Sequence, residues 1–294
     1  MRSLVTGATG FIGSHLVRGL IALGDEVAVI VRPSSRLDIL PQPATAYPYD
    51  GTTESLVKIA AAAKPEIVYH LASMFTAQHR TEDVIPLISS NVLFPTQLLE
   101  AMHANGIHNV INVGSSWQHF EDRDYDPVCL YAATKQAFEA VLDYYVRACG
   151  FRAVTLTLFD TYGPGDPRPK LFSLLARVAR TGERLTMSPG EQSLDLVHID
   201  DVLAAFVAAR ERLASATTAG NEVYAVASGR PVRLRDIVAE YEKAVGKRLN
   251  IAWGERPYRA REVMRPWSRG VPVPGWQPRV SLGEGIRRML KPGV

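Results

Sequence analysis

Short apolar runs alternate with longer amphipathic stretches through the first 160 residues. The runs at 3–6, 26–31, 67–70, 110–113 and 153–159 are apolar at odd and even positions alike, as expected of strands covered by helices on both faces. Between them, residues 11–23, 55–63, 84–104 and 130–148 repeat their apolar positions at helical spacing. Strands alternating with helices in this rhythm predict an α/β fold with a doubly wound parallel sheet.

The pattern breaks at Asp160-Thr-Tyr-Gly-Pro-Gly-Asp-Pro-Arg-Pro169, where proline and glycine are too dense for a strand or helix to continue. Strand-like and helical runs return at 195–199, 200–212 and 222–226, before a segment rich in Pro, Arg and Trp from 256 to 278. Residues 1–162 are therefore assigned to the sheet domain, with 194–228 returning to it. Residues 163–193 and 229–294 are assigned to a smaller C-terminal substrate-binding lobe.

Composition narrows the partners. The 33 Lys plus Arg against 30 Asp plus Glu leave a formal charge of +3 over 294 residues, with no dense basic block, so no nucleic-acid partner is expected. Arg256, Arg259, Arg261, Arg265 and Arg269 cluster near the C-terminus, which suits either a solvated loop or a small anionic substrate. The two cysteines, Cys129 and Cys149, have no partners at metal-ligand spacing, and neither a disulfide framework nor a metal site is expected. With no export signal and no membrane-length apolar run, a soluble cytoplasmic protein is expected.

Two constellations carry chemistry. Gly7-Ala-Thr-Gly10-Phe-Ile-Gly13 follows the first predicted strand and opens the first helix, a context in which glycines let the backbone approach a dinucleotide pyrophosphate. At the end of the second strand, where an NAD enzyme places a carboxylate, this chain has Arg32. The run Val31-Arg-Pro-Ser-Ser-Arg36 offers guanidinium and hydroxyl groups to a 2′-phosphate, so NADP(H) is the expected cofactor. Asp50 falls where a loop after the third sheet element reaches the adenine. Second, Tyr131 and Lys135 lie four apart on one helical face, and Gly114-Ser-Ser116 closes the strand before them. Carbonyl reduction needs an acid for the developing alkoxide. Tyr131 supplies it, Lys135 is expected to draw the tyrosine pKa toward working pH, and a serine hydroxyl holds the carbonyl oxygen.

Gly7/Gly10/Gly13, Ser115, Tyr131-Ala-Ala-Thr-Lys135, Tyr162-Gly-Pro-Gly165 and Val197-His-Ile-Asp-Asp-Val202 resemble the extended short-chain dehydrogenase/reductase family over nearly the whole chain. The resemblance implies a Rossmann domain, a small C-terminal substrate lobe, nucleotide-diphosphate sugars as substrates, and a homodimer packed through helices that include the Tyr-Lys one. It also implies Ser115, Tyr131 and Lys135 as the catalytic triad, with Ser116 in reserve. The expected cofactor shell is Gly7, Thr9, Gly10, Phe11, Ile12, Arg32, Ser35, Arg36, Asp50, Leu71, Ala72, Ser73 and Asn91 together with Tyr131 and Lys135. The expected substrate shell is Ser116, Trp117, Asp160, Arg168, Lys170 and Arg259.

The family's 4,6-dehydratases carry Asp-Glu directly after the catalytic hydroxyl, where this chain has Ser116 and Trp117, which speaks against dehydration. The strings Ser116-Trp-Gln-His119, Met187-Ser-Pro-Gly-Glu-Gln192 and Arg256-Pro-Tyr-Arg-Ala-Arg-Glu262 are similar to bacterial nucleotide-diphospho-4-keto-deoxyhexose reductases such as the CDP-abequose and CDP-paratose synthases. Reduction of a CDP- or dTDP-linked 4-keto deoxysugar by NADPH is the expectation. A nucleotide-sugar 4-epimerase and a non-catalytic NADP(H)-binding redox sensor are the alternatives.

Overall fold

The computed structural model describes residues 1–215 and 220–291; the assigned spans 194–228 and 229–294 include residues 216–219 and 292–294, which lie outside the described residues. Six strands precede the proline-rich break: β1 (Arg2–Thr6), β2 (Glu26–Val31), β3 (Thr45–Pro48), β4 (Ile67–His70), β5 (Asn109–Ser115) and β6 (Arg152–Leu158). Beyond it come β7 (Asp160–Tyr162), β8 (Leu185–Met187), β9 (Ser193–Leu194), β10 (Leu196–His198), β11 (Asn221–Val226), β12 (Val232–Arg233) and β13 (Ile251–Trp253). The helices are α1 (Phe11–Ala22), α2 (Thr53–Ala63), α3 (Val84–Ile88), α4 (Phe94–Ala104), α5 (Leu130–Cys149), α6 (Leu171–Thr181), α7 (Ile199–Ala214), α8 (Leu234–Val245) and α9 (Leu282–Leu290).

Seven strands form one parallel sheet in the order β11-β6-β5-β4-β1-β2-β3. The order reverses between β1 and β4, and such a switch point opens a crevice at the carboxyl ends of the strands. Successive strand residues feed opposite cores. Val5, Val29, Tyr69, Ile111 and Val154 join α1 and α7 on one face; Leu4, Ile30, Val68, Val110 and Ala153 join α2, α4 and α5 on the other. That double burial is the reason the strands read as unbroken apolar runs.

Two elements depart from expectation. The strand β3 was hidden by Pro41, Pro43 and Pro48, which an edge strand tolerates because one side of its backbone needs no ladder. Residues 84–104, expected as one helix, comprise α3, a π-helical turn at Ser89–Leu93 and then α4 with Pro95 in its first turn.

The smaller lobe has its own cluster, built from Leu175 of α6, Val238 and Tyr241 of α8, and Ile286 of α9. Asp201 of α7 ties the C-terminal segment back to the sheet unit. Its carboxylate accepts the backbone N–H groups of Arg279 and Val280, each at 2.9 Å, and its carbonyl accepts Trp276 Nε1–H at 2.9 Å. Among the described residues no helix is long and apolar enough to cross a membrane, and no three His, Cys, Asp or Glu side chains gather as metal ligands.

Candidate active site

The glycine-rich turn, Arg32 and Ser115 sit at or just beyond the carboxyl ends of β1, β2 and β5. After β1 the chain turns at Gly7 with φ +72°, and Gly10 N–H closes the turn onto the Gly7 carbonyl at 3.0 Å. A Cβ on Gly7 would lie 2.7 Å from Ala72 N, and one on Gly13 would lie 2.1 Å from the Gly7 oxygen. The turn is therefore pressed between α1 and the loop after β4. The Thr6 hydroxyl fixes that loop by accepting the N–H groups of Leu71 and Ala72, both at 3.1 Å. No side chain caps α1, so Phe11 and Ile12 begin a helix whose N–H groups face an anion site beside Thr9 and Gly10. A cradle that any Cβ would fill suits a dinucleotide pyrophosphate.

Arg32 follows β2 and is exposed, with no ion-pair partner for its side chain among the described residues. Its N–H donates to the Ser35 hydroxyl at 3.0 Å, which tightens the loop. Arg36 forms an exposed bidentate pair with Asp38, at 3.2 and 2.6 Å, so of the two guanidinium groups only Arg32 has no ion-pair partner among the described residues. Asp50 is turned inward on its own loop, accepting the Thr52 N–H at 2.9 Å and hydroxyl at 2.7 Å.

Asn91 acts differently from expectation. It is 2% exposed and its amide is fully engaged by protein. Its oxygen accepts from the Ser73 hydroxyl (3.0 Å) and Met74 N–H (2.8 Å), while its nitrogen donates to the Met74 carbonyl and Thr134 hydroxyl (both 2.9 Å). It pins the Ser73 loop to α5 and leaves no amide atom for a cofactor. The π-helical turn that aims it inward had no signature in the residue pattern.

Ser115 ends β5, and Tyr131 and Lys135 occupy the first turns of α5. Lys135 is buried and donates to the Val113 carbonyl at 2.9 Å, so the helix is bolted to the strand that carries Ser115. Burial pushes the Tyr131 phenol up to about 12, while Ser115 and Ser73 lie close enough to favour its ionised form. The expected pull of Lys135 on the phenol toward working pH is absent, and desolvation sets the direction. The lysine is itself drawn down by burial to about 8.

A cleft of about 700 Å³ is lined in part by Phe75, Ser116, Trp117, Asp160, Arg168, Lys170, Arg256 and Arg259, so it gathers the residues expected in the substrate shell. Phe75, which the sequence did not single out, meets the Tyr131 ring edge-on at 5.0 Å and the Trp117 ring at 5.5 Å. Arg259 lies over Trp117 at 5.4 Å. The cations are largely neutralised in pairs: Arg259 with Glu262 at 3.1 Å, Lys170 with Asp160 at 3.5 Å, and Arg261 with Asp126. Arg168 is held by Asp166 (2.6 Å) and the Thr161 carbonyl (2.9 Å), with its guanidinium 4.7 Å from the Phe11 ring. It packs on the glycine-rich turn as well as lining the cleft.

Gln118 and Glu139 also went unnoticed in sequence. Gln118 Oε1 accepts the Ser115 N–H at 2.7 Å while its side-chain amide donates to Glu139 at 3.0 Å. The signal was present: Ser115-Ser-Trp-Gln118 has the spacing of a capping box, and Glu139 follows Lys135 by one turn on the buried face.

Known proteins share this fold. The chain is 29% identical to the UDP-glucose 4-epimerase of Mycolicibacterium smegmatis, over 99% of this chain and 98% of the relative. It is 28% identical to the CDP-abequose synthase of Yersinia pseudotuberculosis, over 90% and 92%. The Thermus thermophilus UDP-glucose 4-epimerase, solved in complex with NAD, superposes with a TM-score of 0.84 at 26% identity, covering 98% of this chain and 97% of that one. The family model for NAD dependent epimerases/dehydratases matches residues 3–227, a span that runs from β1 to the end of β11 and takes in the glycine-rich turn, Ser115, Tyr131 and Lys135, and the chain belongs to that family.

Proposed function

We propose that this enzyme uses NADPH to reduce the 4-keto group of a nucleotide-diphosphate deoxysugar, CDP- or dTDP-linked. The observation that carries the choice is Arg32, an exposed cation with an uncommitted side chain where an NAD enzyme places a carboxylate. The glycine-rich turn and α1 would hold the pyrophosphate, with Arg32 and the Ser35 loop toward the 2′-phosphate. Bound NADPH supplies the hydride. The Ser115 hydroxyl orients the C4 oxygen, and Tyr131 gives that oxygen its proton. A phenol held near 12 is protonated at neutral pH, the form an acid must have at the start of a reduction. Phe75 and Trp117 present aromatic faces beside Tyr131, which suits a sugar stripped of hydroxyls. The relative named as a CDP-abequose synthase lends support. The reading includes a cytoplasmic homodimer; Ile85 of α3 and Tyr144 of α5, 77% and 62% exposed, would be covered in it.

A 4-epimerase is the second reading, favoured by the 29% identity to a UDP-glucose 4-epimerase. Enzyme, NADPH and a 4-keto sugar nucleotide are mixed while absorbance at the NADPH band is followed. Loss of NADPH equal to the product formed supports reduction; product without that loss supports epimerisation. Tyr131→Phe is expected to lower kcat by about 10²- to 10⁴-fold with NADPH binding retained, and a variant of full activity removes Tyr131 from the mechanism.

A further inference from the structure

Behind Ser115 and Lys135 lies a buried carboxylate that the chemistry above does not use. Glu139 is one turn beyond Lys135 on α5 and 9% exposed. Gly114 makes room for it: a Cβ there would lie 2.9 Å from Glu139 Oε1 and 3.2 Å from Gln118 Oε1. The carboxylate therefore packs on the β5 backbone between Val113, whose carbonyl receives Lys135, and Ser115, whose N–H is held by Gln118. Gln118 links the two, donating to Glu139 at 3.0 Å and to Gln136 at 2.9 Å.

A buried ammonium tends to lose its proton unless an opposite charge lies near. Lys135 is 3% exposed; burial draws it down to about 8 and Glu139 opposes that shift. Burial in turn pushes Glu139 up to about 7, with Gln118 and Lys135 favouring its ionised form and Asp143 disfavouring it. Few other charges face the pair. On α5 there is Asp143, bonded by Asn221 of β11 at 3.1 Å, and Tyr131. From β4 comes His70, which burial holds neutral with a pKa near 3. From β5, β6 and the turn after β5 come the uncharged Gly114, Thr155 and Gln118.

We infer that Glu139 is a positioning residue of this site: through Gln118 it anchors the backbone that carries Ser115, and from the Gly114 notch, one turn from Lys135 and outside ion-pair contact with it, its carboxylate favours the lysine's ammonium form. The inference rests on the reductase reading only for the use made of Lys135.

The chain has seven lysines, so lysine labelled with ¹³C at Cε gives a resolvable NMR spectrum of the apo protein, and Lys135→Arg assigns the signal. In Glu139→Gln the Lys135 titration midpoint is expected to fall by about one pH unit, with Glu139→Asp recovering much of the difference. The alkaline limb of kcat for ketosugar reduction should move down by the same amount while KM stays within about twofold. In Gln118→Leu, which keeps the carboxylate but removes the hydrogen bond that favours its ionised form, kcat is expected to fall about tenfold, with the Lys135 midpoint falling by less than in Glu139→Gln. A Lys135 midpoint in Glu139→Gln that matches wild type overturns the electrostatic role, and full kcat in Gln118→Leu overturns the anchor. If Glu139→Gln does not fold, wild type still decides the first point. The Lys135 signal should carry a second, smaller inflection near pH 7 as Glu139 ionises, and its absence refutes the coupling. Wild type that reduces no ketosugar sinks the proposed function, while the titrations still decide the role of Glu139.

Discussion

Replacing Gly13 by alanine is the sharpest test of the glycine-rich turn, because its consequences for stability and for binding part company. The added Cβ would sit 2.1 Å from the Gly7 oxygen, 2.8 Å from the Gly7 carbonyl carbon and 2.9 Å from Ala8 Cα. All three are backbone atoms, so no rotamer can relieve the contact. Ordinary carbon–oxygen contact needs roughly 3.3 Å, and the turn must retreat by about 1 Å. Overpacking of this kind costs about 1–3 kcal/mol, offset by about 1 kcal/mol because alanine suits a helix better than glycine. The fold should survive. The cradle should not, since about 1 Å of displacement at a preorganised site costs on the order of 100-fold. Fluorescence titration with NADPH, beside urea denaturation of the same samples, checks both halves. Two controls bracket it. Gly10→Ala meets only the Gly7 oxygen, at 3.2 Å, and should weaken binding mildly; Gly19→Ala meets nothing within 4 Å and should stabilise α1 by about 0.5–1 kcal/mol with binding intact. A folded Gly13→Ala protein that binds NADPH within about threefold of wild type would refute the assignment of this turn to the pyrophosphate.

Arg32→Asp should weaken NADPH by about 10- to 100-fold and leave NADH equal or better, read from dissociation constants; an unchanged preference would place the 2′-phosphate elsewhere. Asp201→Ala removes two buried acceptors and should cost about 2–4 kcal/mol in urea denaturation, with faster proteolysis after residue 276, whereas near-wild-type stability would deny that Asp201 clamps the C-terminal segment. His70 should make the protein acid-sensitive. Burial and the nearby Lys135 hold its folded pKa near 3 against about 6.5 unfolded. Below pH 6.5 the unfolded chain therefore binds a proton that the fold refuses, and stability falls by up to about 1.4 kcal/mol per pH unit until pH 3 is approached. His70→Asn should flatten that slope, and denaturation curves at pH 7.5, 6 and 5 measure it.

Central strands were legible in the sequence because burial on both faces leaves them mostly apolar, with a few buried polar residues such as Thr6, His70 and Asn112; β2 and β4 were bounded correctly from that. Edge position erased the same signal from β3, whose residues are partly or fully exposed and flanked by prolines. The pairing of β11 beside β6 joins residues such as Asn221 and Ala153, and no local pattern encodes a contact of that separation. The same holds for the substrate cleft. Arg259 over Trp117 and Arg261 with Asp126 depend on how the C-terminal segment folds back, so a run that reads as five free arginines proves mostly paired. Where partners are close in sequence, the information was there to use: Arg36 and Asp38 are two apart, and Glu139 is one turn from Lys135.

Cofactor choice and proton donation are set on different strands. The end of β2 carries Arg32, whose charge favours a phosphorylated cofactor, the kind a cell keeps reduced and consumes. The end of β5 and the start of α5 carry Ser115 and Tyr131, and the phenol, pushed up by desolvation to about 12, holds its proton at neutral pH, the form a proton donor needs. A reductase begins where this site already stands, with the proton on Tyr131 and positive charge on Lys135. Ile30 of β2 shares a core with Phe138 and Leu142 of α5, but Arg32 lies beyond the end of β2 with its side chain exposed. Arg32 is thus the feature that favours net reduction, and the variants Arg32→Asp and Tyr131→Phe test cofactor choice and proton donation separately.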